Sequence, residues 1–174
     1  MIISASYKTD IPAFHGKWLI ERFREGFCNV RNPYNNSTFL VDLVHDSVDG
    51  IVFWTRNPEP FLEGFDWIRA REYPFYIHFT ITGYPRLLEP LVPSVPAAVR
   101  LFRDLSKKYG REALVWRYDP LLFTSITDRA SHIMRFRKIA ESLKGFCNEV
   151  VISFATIYRK TRKKMDELCI KAAF

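Results

Sequence analysis

Short apolar segments alternate with amphipathic segments along the whole chain, and this alternation is the feature that most restricts the fold. Each short apolar segment is followed either by a segment whose apolar residues recur at helical spacing or by a basic segment that favours a helix. Alternating strands and helices favour a parallel sheet covered by helices, and therefore an α/β fold. Five segments have the length and composition of strands, at residues 2–6, 50–55, 75–81, 113–120 and 149–154.

Polar residues fall on one face of several predicted strands, and this distinguishes two α/β architectures. Because side chains alternate in a strand, Ser4 and Ser6 share one face, and so do Arg117 and Asp119. An open sheet with helices on both sides needs two apolar faces, whereas a barrel can hold a polar site at one end of its interior. We therefore predict an incomplete, TIM-barrel-like (β/α) domain of about five parallel strands.

A doubly wound open sheet is the alternative architecture. Its nucleotide-binding versions carry G-x-G-x-x-G or G-x-x-x-x-G-K-[ST] after a strand, and neither motif occurs in this chain. With 174 residues the chain is long enough for one domain with a hydrophobic core and short for two. We expect a single α/β domain over residues 1–174.

The charge and cysteine content restrict the partners and the compartment. The net charge is +7, and a basic run spans residues 159–164, which is compatible with an anionic small molecule or with nucleic acid. Cys28, Cys147 and Cys169 lie far apart and form no metal-binding or disulfide pattern. We expect no signal peptide, and the chain contains no apolar run of membrane-spanning length. We expect a cytoplasmic protein with no membrane partner and no cofactor or metal bound by this chain.

The carboxyl ends of the predicted strands carry the residues from which a site is expected, because ligands of α/β folds gather there. Arginine binds carboxylate and phosphate groups through two parallel hydrogen bonds, and the carboxylates and the histidine are the candidates for proton transfer. The candidate catalytic residues are Asp10, Asp119 and His78. The candidate substrate-binding residues are Ser6, Lys8, Thr9, Arg56, Asn57, Thr80, Arg117, Ser153 and Tyr158.

Each of the titratable candidates also has a structural interpretation. Arg117 and Asp119 are compatible with a buried ion pair, and His78 with a hydrogen-bonded histidine of the sheet interior. Asp10 precedes Ile11 and Pro12 and is therefore also a candidate helix cap. The residues alone leave both interpretations open.

Several motifs together resemble one known family. They are Ser-Ala-Ser-Tyr-Lys-Thr-Asp-Ile-Pro-Ala-Phe at 4–14, Ile-Val-Phe-Trp-Thr-Arg-Asn at 51–57, Val-Trp-Arg-Tyr-Asp-Pro at 115–120, Val-Ile-Ser-Phe at 151–154 and Ile-Tyr-Arg-Lys-Thr-Arg at 157–162. The chain resembles the bacterial and archaeal family known as domain of unknown function 1848. Full-length relatives are expected to be longer and to end in a cysteine-rich tail, C-x-x-G-C-x-Y-C-Y-A. Such a tail resembles the iron–sulfur ligand set of radical S-adenosylmethionine enzymes.

The resemblance leads to the first functional hypothesis. The chain would be the N-terminal, binding half of a longer barrel enzyme that acts on an anionic substrate. Redox or radical chemistry would come from an iron–sulfur cluster in the missing C-terminal part, so the truncated chain is expected to be inactive alone. Five strand–helix units would also leave two unpaired sheet edges, which permits self-association.

Two further hypotheses come from the residues themselves. The basic run at 159–164 makes a nucleic-acid-binding module without catalysis the alternative. A glycoside hydrolase needs two facing carboxylates, for which Asp10 and Asp119 are the available pair.

Overall fold

The computed structural model describes residues 1–5, 9–32 and 34–167, apart from the side chain of Lys160. The chain divides into two compact units, Met1–His78 and Phe79–Phe174. In chain order the main elements are β1 (Ile2–Ala5), α1 (Ile11–Phe14), α2 (Gly16–Glu25), β2 (Phe27–Arg31), β3 (Thr38–Asp42), β4 (Gly50–Thr55), α3 (Leu62–Arg69), β5 (Phe75–Thr80), α4 (Val95–Tyr109), β6 (Leu114–Arg117), α5 (Arg129–Leu143), β7 (Val150–Val151) and α6 (Arg159–Glu167).

Five of the strands form one sheet in the order β1–β4–β5–β6–β7. The pairs β1–β4 and β6–β7 are parallel, with Ile2 opposite Gly50 and Arg117 opposite Val151. The five strands predicted from the sequence are these five, so a parallel sheet alternating with helices is confirmed. Among the described residues β1 and β7 end the sheet, and it does not close into a barrel.

The core of the first unit lies between β4, the start of β5 and the helices α2 and α3. Phe53, Phe65 and Ile77 are completely buried, and the rings of Phe53 and Phe65 meet edge to face at 5.1 Å. Burial of each such side chain contributes about 1.5–3 kcal/mol. Gly26 ends α2 at a positive φ of 81°, a conformation that favours glycine.

An antiparallel hairpin, β2–β3, follows α2 and was not predicted as such. The sequence of residues 31–37 favours a turn and that of residues 38–44 an extended segment, whereas β2 carries no comparable signal. Val30, Phe39 and Leu40 are 37%, 51% and 63% exposed, and they pair with residues of the opposite strand. The apolar side chains therefore do not alternate between a buried and an exposed face, and alternation is the signal by which a strand is recognised.

Two long helices of the second unit begin at side-chain caps. Ser94 accepts a hydrogen bond from the N–H of Ala97, and Asp128 accepts one of 2.9 Å from the N–H of Ser131. Helix α4 is tied to α5 by Arg103, whose guanidinium donates to the carbonyl of Ser142 at 2.8 Å.

The pairing of β6 with β7 continues past the regular strands. The N–H of Tyr118 donates to the carbonyl of Val151 at 2.9 Å, and the N–H of Leu121 donates to the carbonyl of Ser153 at 2.6 Å. The fifth strand was predicted over 149–154, but its regular part is only two residues long. The peptide bond before Pro120 is cis. This irregular ladder brings the residues after β6 next to those after β7.

The described residues contain no helix that is both long and apolar enough to cross a membrane.

Candidate functional site

Asp10 links the first helix to the end of β4. Its Oδ1 accepts a hydrogen bond of 3.0 Å from the N–H of Ala13, which caps α1. Its Oδ2 accepts one of 3.0 Å from the Thr55 hydroxyl and one of 2.8 Å from the N–H of Arg56. Thr55 is 3% exposed, so its hydrogen bond to Asp10 is shielded from solvent. The carboxylate therefore acts as the helix cap that one interpretation of the sequence expected, and it also holds the strand end.

The two residues after Thr55 form a tight turn. The N–H of Asn57 donates to the Thr55 hydroxyl at 3.0 Å, and the Asn57 side-chain oxygen accepts from the N–H of Glu59 at 3.3 Å. Arg56 contributes its backbone N–H to Asp10, and its side chain is partly exposed. Thr9 lies in the bend before Asp10 and is exposed. Asp10, Arg56 and Asn57 thus lie together around Thr55 within the first unit.

His78 lies in an aromatic stack on β4 and β5. Its ring is parallel to that of Trp54, with centroids 4.2 Å apart and an angle of 5° between the planes, and Tyr76 lies 5.2 Å away. The indole N–H of Trp54 donates to the Ser4 hydroxyl at 3.1 Å. His78 is 9% exposed, whereas Tyr76 is 38% exposed. The histidine therefore packs as part of the sheet face, which agrees with its structural interpretation.

Arg117, Asp119 and Ser153 form a polar group at the ends of β6 and β7. Nη2 of Arg117 donates to Oδ2 of Asp119, and the Ser153 hydroxyl donates to the same oxygen at 3.3 Å. The Asp119 side chain is 7% exposed and that of Arg117 is 22% exposed. A buried carboxylate thus orients a guanidinium that still reaches solvent. A guanidinium held in this way has the geometry to bind a carboxylate or phosphate group.

A second polar cluster in this unit was not predicted as a site, and it surrounds the loop after Pro120. The hydroxyl of Tyr84 donates to the carbonyl of Pro120 and accepts from the N–H of Leu122, both at 2.7 Å. Burial is the main cause that raises the pKa of Tyr84 to about 12. This hydroxyl therefore stays protonated at physiological pH and holds two backbone groups.

His132 completes the cluster from α5. Its Nε2 lies 3.2 Å from the carbonyl of Leu122 and its Nδ1 lies 3.1 Å from the hydroxyl of Tyr118. Because a carbonyl only accepts, Nε2 carries the proton, and the hydroxyl of Tyr118 is shared between Nδ1 and the backbone carbonyl of His132, which lies 3.3 Å away. Burial lowers the pKa of His132, so the neutral form is favoured. His132 follows the Asp128 cap by one helical turn, on the face that carries Phe136, and this position is the sequence signal that marks it as buried.

The remaining candidates are scattered. Thr80 ends β5 and is partly exposed, and Tyr158 is 69% exposed just before α6, where its carbonyl accepts from the N–H of Arg162 at 2.9 Å. Ser6 and Lys8 lie outside the residues that the structure describes.

The cysteines do not form a ligand set for an iron–sulfur cluster within the described residues. Cys28 is buried in β2 and Cys147 follows α5, and burial raises the pKa of both thiols. Cluster ligands are thiolates, so a raised pKa opposes that role. No group of three or more His, Cys, Asp or Glu side chains that could hold a metal occurs in the described part of the chain, and Cys169 lies outside it.

Comparison with known proteins gives one match. The family model described as domain of unknown function (DUF1848) matches residues 2–173. The chain belongs to this family. The resemblance drawn from the sequence motifs is therefore confirmed for nearly the whole chain. No curated protein and no solved structure gives a significant match.

Proposed function

We propose that this DUF1848 protein binds an anionic ligand at Arg117, and that it serves as the binding part of an enzyme. The group formed by Arg117, Asp119 and Ser153 is the observation that supports this proposal. The guanidinium of Arg117 pairs with a buried carboxylate at the end of a sheet strand. The ligand class is a carboxylate or phosphate, because these oxyanions match the fork of N–H donors on a guanidinium.

The burial of Asp119 gives the guanidinium its orientation. A carboxylate that is 7% exposed is costly to leave without partners, so Asp119 holds Arg117 and Ser153 in place. A preorganised arginine loses less side-chain entropy on binding than a mobile surface arginine does. Proton transfer by Asp10, Asp119 and His78 remains a prediction, and so does substrate binding by Arg56.

We expect this site to lie in part of a (β/α) barrel, and we expect the barrel to belong to a cytoplasmic enzyme. In support, the strands of the sheet follow one another in chain order, as barrel strands do, without the reversal of a doubly wound sheet. The iron–sulfur chemistry that the resemblance implies would need ligands from outside the described residues, so none of the steps proposed here depends on it.

Binding of inorganic phosphate and of a small dicarboxylate such as succinate, followed by isothermal titration calorimetry, tests the proposal. We expect saturable binding that weakens about tenfold or more in Arg117→Gln, since a charge-assisted pair contributes roughly 1.5–3 kcal/mol. Arg100→Gln is the matched control, because Arg100 is exposed on α4 and away from this group.

A second variant separates binding from folding. Arg117→Gln leaves Asp119 buried without its cation, whereas Arg117→Gln combined with Asp119→Asn removes both charges. We expect the double variant to fold and to bind neither anion. Binding that survives in the folded double variant, or that falls equally in Arg100→Gln, would overturn the proposal.

A nucleic-acid-binding module is the second candidate, and the surface of α6 favours it. Arg159, Arg162 and Lys163 are exposed and lie three and four residues apart, so they form a mainly basic helix face, which Lys164 extends. Asp166 is the acidic residue on the same face. Such a face is the electrostatic footprint of phosphate-backbone binding.

Binding of labelled duplex DNA and single-stranded RNA at several salt concentrations tests this candidate. We expect affinity to fall steeply with salt and to be lost when Arg159, Arg162 and Lys163 are changed to Gln. Binding that is lost in Arg117→Gln and does not change with salt concentration would contradict nucleic-acid binding by α6. It would favour the small-anion site at Arg117.

A further inference from the structure

An open apolar groove runs along the outer side of α5 in the second unit. Its volume is about 340 Å³. Tyr118 and His132 lie at its buried base, since they are 2% and 4% exposed. Ile133 from α5 and Ile152 from the segment after β7 form its two sides and are 43% and 48% exposed. Large apolar side chains that remain this accessible on both sides of one groove mark a binding surface.

Among the described residues, the charged side chains that line the groove are positive. Arg129 and Arg137 are exposed and line it, and no acidic side chain of the described residues does. Both lie on α5 with Ile133 midway between them, so their Cα atoms are about 12 Å apart along the helix axis. Two cations at the ends of an apolar strip require a partner with apolar side chains in the middle and carboxylates at both ends.

The shape of the groove favours a helix over a small molecule. Small-molecule sites are concave and bury most of their ligand, whereas both walls here open to solvent. The groove lies between a helix and the end strand of the sheet, beside β7. An amphipathic helix presents an apolar stripe of matching width, with charged residues along its borders.

We propose that this groove is the docking site of an acidic amphipathic helix supplied by another polypeptide. The apolar stripe of the helix packs on Ile133, Phe136 and Ile152. Its glutamate or aspartate side chains pair with Arg129 and Arg137. This inference does not depend on the anion site at Arg117, because the two use different side chains.

A synthetic peptide of about 15 residues tests the proposal, with Leu at helical spacing and Glu on both borders of the stripe. Fluorescence anisotropy of the labelled peptide with the full chain measures the affinity. We expect saturable one-to-one binding. A peptide of the same composition in scrambled order should bind at least about tenfold more weakly, and so should one with Lys in place of Glu.

Variants of exposed residues locate the site without disturbing the core. Ile133→Glu should weaken binding of the acidic peptide about tenfold or more. Met134→Glu is the matched control, because Met134 is the next residue of α5, is 66% exposed and does not line the groove. Arg137→Gln should weaken binding about threefold at low salt and much less at high salt, as expected for a single exposed charge pair.

Four results would overturn the proposal. The first is equal binding of the acidic and scrambled peptides, and the second is equal loss in the Ile133 and Met134 variants. The third is a concentration-dependent dimer of the wild-type chain that disappears in Ile133→Glu, because a second copy of the chain would then be the occupant. Displacement of the peptide by laurate at equimolar concentration would likewise assign the groove to a lipid-like carboxylate.

Discussion

The carboxylate of Asp10 accepts a hydrogen bond of 2.8 Å from the backbone N–H of Arg56, 46 residues further along the chain. The same carboxylate caps α1 through the N–H of Ala13. One side chain therefore joins the first helix to the carboxyl end of β4. A change at Asp10 affects both the helix and the position of Arg56.

Replacement of Asp10 separates these two contributions. Asp10→Ala removes the cap and both contacts to β4, and we expect it to lower the free energy of unfolding by about 2–4 kcal/mol. Asp10→Ser retains a capping oxygen but does not reach Thr55 and Arg56, so about 1 kcal/mol of this loss should be restored. Urea unfolding followed by circular dichroism measures both. Equal stability of the Ala and Ser variants would contradict a capping role.

The pair of Arg117 and Asp119 should behave as a coupled unit. Arg117→Gln leaves a carboxylate that is 7% exposed without its cation, and we expect a loss of about 1–3 kcal/mol. The double variant with Asp119→Asn should be more stable than the sum of the single changes predicts, by at least about 0.5 kcal/mol. A double-mutant cycle of chemical unfolding measures this coupling, and strict additivity would contradict the pair.

The stability of the second unit should decrease on acidification through His132. Burial holds the folded-state pKa of His132 below its ordinary value of 6.5, and the nearby Arg135 lowers it further. Between the folded-state pKa and the unfolded-state value of 6.5, the unfolded chain binds a proton at His132 and the folded chain does not. The contribution of His132 to the free energy of unfolding is therefore fully present above pH 6.5 and is lost as the pH falls below it. His132→Gln should flatten this part of the curve of Tm against pH. His45→Gln is the control, since the His45 side chain is 53% exposed.

Tyr84 should stabilise the loop after Pro120 through its hydroxyl. Tyr84→Phe leaves the carbonyl of Pro120 and the N–H of Leu122 without this partner, and we expect a loss of about 1–3 kcal/mol. Tyr34→Phe is the matched control, because Tyr34 is 91% exposed, and it should change stability by less than about 0.5 kcal/mol. Thermal unfolding measures both, and an equal effect of the two changes would contradict the role of Tyr84.

Local signals in the sequence predicted the elements of the fold well. The caps at Ser94 and Asp128 and the stop at Gly26 depend on residues within one helical turn, so they are visible in the sequence. The hairpin β2–β3 was missed because its exposed apolar side chains do not follow the alternation of a half-buried strand. The sheet order was anticipated only as far as the alternation of strands and helices implies neighbouring parallel strands.

The sequence proposed candidate site residues by type and by place, and it offered the pairing of Arg117 with Asp119 as one interpretation. Arg117 and Asp119 were selected because they end a strand, and the structure brings Ser153 to the same carboxylate. The cluster of Tyr84, Tyr118 and His132 was not selected. Its members come from three separate segments, and no spacing in the chain connects them.

The sequence by itself determined which segments become strands and helices, where most helices begin and end, and to which family the chain belongs. These properties depend on periodicity, on caps and on contiguous motifs, all of which are local. The tertiary structure alone decided that Asp10 also holds the end of β4, and that Ser153 joins Asp119. It also decided that one side of α5 remains an open basic and apolar groove. These relationships depend on residues far apart in the chain, and only the packing of the sheet and its helices brings them within hydrogen-bonding or van der Waals distance.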